Sequence, residues 1–132
     1  MPDIAARGLL PSSPMDLATH TEGPDVLVVA LRADRLDAAN VRGFRERMQS
    51  LLPGHPRVVL DLDGVGFVDS SGLGALIACL RQAHAQQGDL RLCGLAPSVQ
   101  ALFELVRVHR VFHVHPARDE AVEAFAQAGS AS

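Results

Sequence analysis

Apolar runs rich in β-branched residues alternate, from residue 26 onward, with stretches whose apolar residues recur every three or four positions. That alternation confines the chain to a layered α/β architecture with several parallel strand pairs. Val26-Leu27-Val28-Val29-Ala30-Leu31 is apolar throughout, as expected of a strand covered on both faces. Val58-Val59-Leu60-Asp61-Leu62, Leu90-Arg91-Leu92-Cys93 and Val111-Phe112-His113-Val114 supply three further strands. Between them, Val41, Phe44, Met48 and Leu51/Leu52 keep helical spacing, as do Leu73, Leu76, Ile77 and Leu80, and then Val99, Leu102, Phe103 and Val106. A last helix is expected over 117–128 with Val122 and Phe125 inward. Before all of these, residues 15–21 alternate weakly and Gly23-Pro24-Asp25 turns the chain, which predicts a first strand antiparallel to the next. The expected order is ββαβαβαβα, a mixed sheet. Leu73, Leu76, Ile77 and Leu80 should pack on Val28, Leu60 and Leu92.

Length and composition bound the rest. With 132 residues, 48% apolar and 20% charged, the chain has the makings of one ordinary globular domain. We expect a loose arm over 1–14, which holds three prolines, a single domain over 15–128 and a tail over 129–132. A net charge of −3 with no basic block argues against nucleic acid or an anionic membrane as partner. All 12 basic residues are arginine, so lysine-dependent chemistry is excluded: no P-loop lysine, no Schiff base. Cys79 and Cys93 are too few and too far apart for a disulfide framework and read as reduced core thiols. The start lacks the pattern of a signal peptide, and the longest nearly apolar stretch is far short of the ~20 residues that span a bilayer.

Four groups of residues invite a chemical reading. Asp61 and Asp63 have the spacing of the nucleophile and acid/base of haloacid-dehalogenase-like phosphatases, but the cationic residue and the later acidic cluster of that chemistry are missing. His113 and His115 would share a strand face and His109 lies near, with His20, His55 and His84 elsewhere; no ligand-spaced cysteine or carboxylate accompanies them. The glycine pairs Gly64/Gly66 and Gly72/Gly74 each lack the third glycine of a dinucleotide fingerprint. What remains is Phe67-Val68-Asp69-Ser70-Ser71-Gly72-Leu73-Gly74, a junction from strand to helix. Asp69 or Ser70 caps the helix, and hydroxyls at an exposed helix N-terminus suit phosphorylation, because the dipole and free amides stabilise added charge. The neighbouring Asp69 opposes that charge.

The run from Val58-Val59-Leu60-Asp61-Leu62 through Val65 to Phe67-Val68-Asp69-Ser70-Ser71-Gly72-Leu73-Gly74-Ala75-Leu76 resembles the signature of the STAS family, in particular the bacterial anti-sigma factor antagonists. Arg35-Leu36-Asp37-Ala38-Ala39-Asn40 is similar to that family's segment before the first helix, and Leu92-Cys93-Gly94-Leu95 with Val99, Leu102, Phe103 and Val106 to its stretch after the fourth strand. The resemblance spans residues 15–126. It implies a mixed sheet of about five strands with four helices mainly on one face. It also implies a non-enzymatic, cytoplasmic, monomeric switch that needs no cofactor. In its unphosphorylated form such a protein binds a GHKL-type serine kinase that doubles as anti-sigma factor; phosphorylation at Ser70 releases the kinase, and a PP2C-type phosphatase reverses it. Asp69 would shape the acceptor site, Ser71 open the helix and Gly72 permit close approach of the kinase. Many relatives have glycine where this chain has Asp34, three residues before Asp37. Asp34 tolerates a left-handed turn and, with Asp37, would bear on the choice of kinase. A STAS module serving as a non-switching subunit of a transporter or signalling assembly is the alternative.

Overall fold

The computed structural model describes residues 16–131, with side chains placed through 127. The expected arm over 1–14 lies outside the described residues. Strand β1 (Leu17–Glu22) turns through Gly23 into β2 (Val26–Leu31), and a short β3 (Arg35–Leu36) precedes α1 (Val41–Leu51). Then come β4 (Arg57–Asp61), a short β5 (Phe67–Val68), α2 (Ser70–Ala85), β6 (Asp89–Cys93) and α3 (Pro97–Leu105). A 3-10 turn (Val108–Arg110), β7 (His113–His115) and α4 (Arg118–Ala131) complete the order. The last helix thus continues to Ala131, through most of the segment expected as a tail.

Five strands form one mixed sheet in the order β1-β2-β4-β6-β7. β1 pairs antiparallel with β2 and every other pair is parallel, as the alternation of strand and helix predicts. β3 and β5 form a separate parallel pair, Arg35 beside Phe67 and Leu36 beside Val68. Each is two residues long, too short for hydrophobic periodicity to register.

The sheet is covered on both faces. Leu27, Val29, Leu31, Val58, Leu60, Leu90 and Leu92 point into the larger core with Phe44 and Met48 of α1, Leu73, Leu76 and Leu80 of α2, and Val99 and Phe103 of α3. On the opposite face Val26, Val28, Val59 and Cys93 pack with Ala121 and Phe125 of α4. Three helices therefore share one face and the fourth has the other to itself. Val28 lies in the layer opposite α2, contrary to expectation; Val29 takes its place in the core that α2 shares. The register pairs Val29 with Leu60 and Leu60 with Leu92, so those three share a face. In a strand buried on both sides all six residues are apolar, so sequence alone does not say which alternate set faces which layer.

Two more expectations shift. Val106 is the C-cap of α3 and stands 45% exposed, because the helix has ended before its side chain would reach the core. Val111 precedes β7 and is exposed too, while Phe112 carries the inward contact. Within α2 the buried stripe is wider than expected: Ala75, Cys79 and Ala83 are also buried, and Ile77 only partly. Cys79 and Cys93 are free and buried, and loss of hydration pushes both thiols up to about 12.

Candidate phosphoacceptor site at the α2 N-terminus

The β3–β5 pair delivers two loops to one place. After Leu36 the chain turns through 37–40 into α1; after Val68 it enters α2 directly. Asp69 joins them. It is the N-cap of α2, in extended backbone conformation. Its Oδ1 accepts the Gly72 amide at 2.9 Å, and its Oδ2 accepts the Ala38 amide at 3.1 Å. Its own amide donates to the Leu36 carbonyl at 3.2 Å. These amide bonds, that from Gly72 foremost, hold the Asp69 carboxyl below its ordinary range. One carboxylate thus satisfies an orphan donor of the helix and pins the neighbouring loop.

Gly72 fits this geometry for a steric reason. A Cβ there would lie 2.3 Å from the Leu36 carbonyl oxygen, so only glycine lets α2 start this close to β3. Gly72 is buried. Its missing Cβ serves the approach of the chain's own backbone.

Ser70 and Ser71 open α2 and are both exposed. No hydrogen bond within the described residues engages either hydroxyl. Among the described residues no histidine is hydrogen-bonded to Ser70.

Asp37 stands half-buried beside this loop. Its Oδ1 accepts the Ala39 amide at 3.0 Å, and Arg35 Nη1 donates to its Oδ2 at 3.4 Å. Asn40 locks the turn from the other side: its Oδ1 accepts the Asp37 amide at 3.0 Å and its Nδ2 donates to the Arg35 carbonyl at 2.9 Å. The N-cap of α1 is therefore Asn40, without a side-chain cap bond, and Asp37 closes the turn before it. Asp34 is fully exposed, and its carbonyl accepts the Gly66 amide at 2.9 Å. Its backbone is not left-handed, so no glycine-like conformation is being replaced.

Sequence reasoning gave no individual role to three contributors, Phe67, Arg35 and Ser98. Phe67 is 48% exposed, with the Arg35 guanidinium 5.5 Å from its ring centroid. Strand alternation could have found it, since an inward Val68 forces Phe67 outward. Ser98, near the start of α3, donates from its hydroxyl to the Gly66 carbonyl at 3.0 Å and ties α3 to the same loop.

The other candidate chemistries resolve differently. Asp61 is buried at the end of β4, where Arg118 Nη2 and Nε donate to its Oδ2 at 2.9 and 3.2 Å. Its Oδ1 accepts the Asp63 amide at 2.9 Å. Asp61 is thus a fastener between β4 and the first turn of α4, and the bond that Arg118 donates to this carboxylate raises the affinity of the guanidinium for its proton. Asp63 is exposed. Of the histidines, His113 is exposed on the edge strand; His115 lies beside Arg91, and burial, then that guanidinium, favours its neutral form. Among the described residues no three His, Cys, Asp or Glu side chains are grouped to hold a metal, and no helix is long and apolar enough to cross a membrane.

Known proteins share this fold. BtrV of Bordetella bronchiseptica, a candidate anti-sigma factor antagonist, is 30% identical over 102 residues, 76% of this chain and 88% of that one. The solved anti-sigma-factor antagonist (STAS) domain protein of Planctomyces limnophilus is 25% identical, with a TM-score of 0.77 over 83% of this chain and 97% of that one. SpoIIAA, a Bacillus cell fate determinant solved in its phosphorylated form, superposes with a TM-score of 0.63 at 19% identity, over 83% of this chain and 99% of that one. The STAS domain model matches residues 18–121, and the chain belongs to the STAS domain family, among relatives named as anti-sigma factor antagonists.

Proposed function

We propose that this protein is a phosphorylation-controlled partner switch that acts as an anti-sigma factor antagonist, with Ser70 as the phosphoacceptor. The observation that carries the reading is the state of Ser70. Its hydroxyl is exposed and unengaged in the first turn of α2, on a platform that Asp69 holds rigid. The partner is a GHKL-type serine kinase that is also the anti-sigma factor, and a PP2C-type phosphatase resets the switch. The protein is no enzyme, acts as a monomer, and works in the cytoplasm, where its kinase draws on ATP.

Phosphorylation adds about −1.5 to −2 charges at neutral pH. The amides of the first helical turn accommodate an anion, so the fold stays as it is. In the interface the same charge lies desolvated beside Asp69, which weakens binding by roughly 3–5 kcal/mol, on the order of 10²–10³-fold or more in Kd. Asp34 and Asp37, flanking the loop that Asp69 pins, together with Ser71 select the kinase.

The test is calorimetry of the wild type, Ser70→Ala and Ser70→Asp against the cognate kinase, with the phosphorylated site mapped by mass spectrometry. Tight binding by wild type and Ser70→Ala and weak binding by Ser70→Asp are expected, with phosphate on Ser70 and still acquired by Ser71→Ala. Equal affinities for all three proteins, or phosphate on Ser71 alone, would overturn the reading.

A further inference from the structure

Four large apolar side chains stand exposed among the described residues, and three of them fall within one short segment: Leu105 (79%), Val106 (45%) and Val111 (54%). The fourth is Phe67, beside Ser70. The segment is built to present them. α3 stops at Leu105, Arg107 takes a left-handed conformation (φ 65°), and a 3-10 turn leads to Val111, whose amide donates to the Val108 carbonyl at 3.0 Å. Phe103 and Phe112, their rings 5.8 Å apart, are buried beneath, and Val108 packs on the same core. The exposed aliphatics therefore rest on a rigid backing.

The charge of this surface is opposite in sign to that of the chain. From Glu104 to His113 the segment carries two arginines and two histidines against the single carboxylate of Glu104, in a protein of net charge −3. Arg107, His109, Arg110 and His113 are all exposed, and among the described residues neither Arg107 nor Arg110 has an ion-pair partner. The two loops joined at Asp69 have the reverse character, with Asp34, Asp37 and Asp69 against the single Arg35. α3 connects the two: Ser98 near its start touches Gly66, and Leu105 at its end lies roughly 10 Å further along the axis.

We propose that the α3–β7 corner is a second docking surface, for an acidic segment of another protein that carries aliphatic anchors. Charge complementarity selects that occupant. A second copy of this chain would meet it isologously and set Arg107 and Arg110 against their own counterparts. An anionic lipid surface is usually held by clusters of about four to eight basic residues, and the two arginines here fall short of that. The opposite signs of the two faces mean different partners.

The test places a benzophenone photo-crosslinking amino acid at Val111 in the full-length protein within its native cells. The cross-linked partner peptide is then identified by mass spectrometry and synthesised. A peptide of net negative charge containing Leu, Ile or Val is expected, and its affinity for the full chain should fall at least tenfold in Arg110→Glu and again on raising salt from about 0.15 to 0.5 M. Val111→Ser, which leaves every charge in place, should weaken it as well, and both variants should melt with the wild type. Cross-linking to a second copy, to lipid, to a neutral or basic segment, or to nothing would overturn the proposal. So would a peptide indifferent to Arg110→Glu.

Discussion

The Cβ that Gly72 lacks would lie 2.3 Å from the carbonyl oxygen of Leu36, while at Gly74, two residues on in the same helix, a Cβ would meet nothing within 4 Å. The two glycines of one motif therefore obey different constraints. Gly72→Ala forces α2 away from β3 and should cost about 1–3 kcal/mol in urea unfolding, the scale of overpacking. Gly74→Ala, exposed inside a helix, should stabilise by about 0.5–1 kcal/mol. Equal effects at the two positions would mean that the β3–α2 approach is not as close as described.

Asp69 makes stability depend on pH in a predictable direction. Its carboxyl is held below its ordinary value by the Gly72 and Ala38 amides, so the unfolded chain takes up its proton first as pH falls. The contribution is complete above the ordinary carboxylate range and is lost as pH drops through the lowered folded-state value. Wild type should therefore melt above Asp69→Asn at pH 7, and the two melting curves should converge under acid. A gap that persists unchanged at low pH would show that the Asp69 charge contributes nothing.

Asp61 and Arg118 should be unequal when broken. The Asp61 side chain is 9% exposed and that of Arg118 39%. Arg118→Met strands a carboxylate in the interior and should cost about 2–4 kcal/mol, whereas Asp61→Asn leaves a guanidinium that reaches water and should cost roughly half as much. The reverse order in chemical denaturation would mean that Asp61 is better hydrated than its burial indicates.

Leu76 is fully buried beneath α2, and Leu76→Ala should cost ~2–5 kcal/mol. A loss below ~0.5 kcal/mol would place the wrong face of α2 inward.

Cys79 and Cys93 should be inert in the native protein. Burial lifts both thiols to about 12, so almost no thiolate exists near pH 8. A thiol-reactive dye should label them only at the rate of unfolding. Fast labelling of either one would show that its side of the sheet opens readily.

The sequence alone determined the alternation of strands and helices, the mixed sheet, the main core stripe of α2 and the place of Ser70 at a helix start. All of these rest on local signals: β-branched runs, helical spacing, and a capping residue next to its helix. Tertiary structure decided what depends on residues distant along the chain. Val29 rather than Val28 shares the core of α2, because inter-strand register and not composition assigns the faces of an all-apolar strand. Gly72 answers to Leu36, 36 positions earlier, and the second ligand of Asp69 is the Ala38 amide, 31 positions away. Asp61 acquires its role from Arg118, 57 positions on. The partners of Gly72 and Asp69 are backbone groups that nearly every residue type supplies, and nothing beside Asp61 announces an arginine so far along the chain; only the fold says which one arrives.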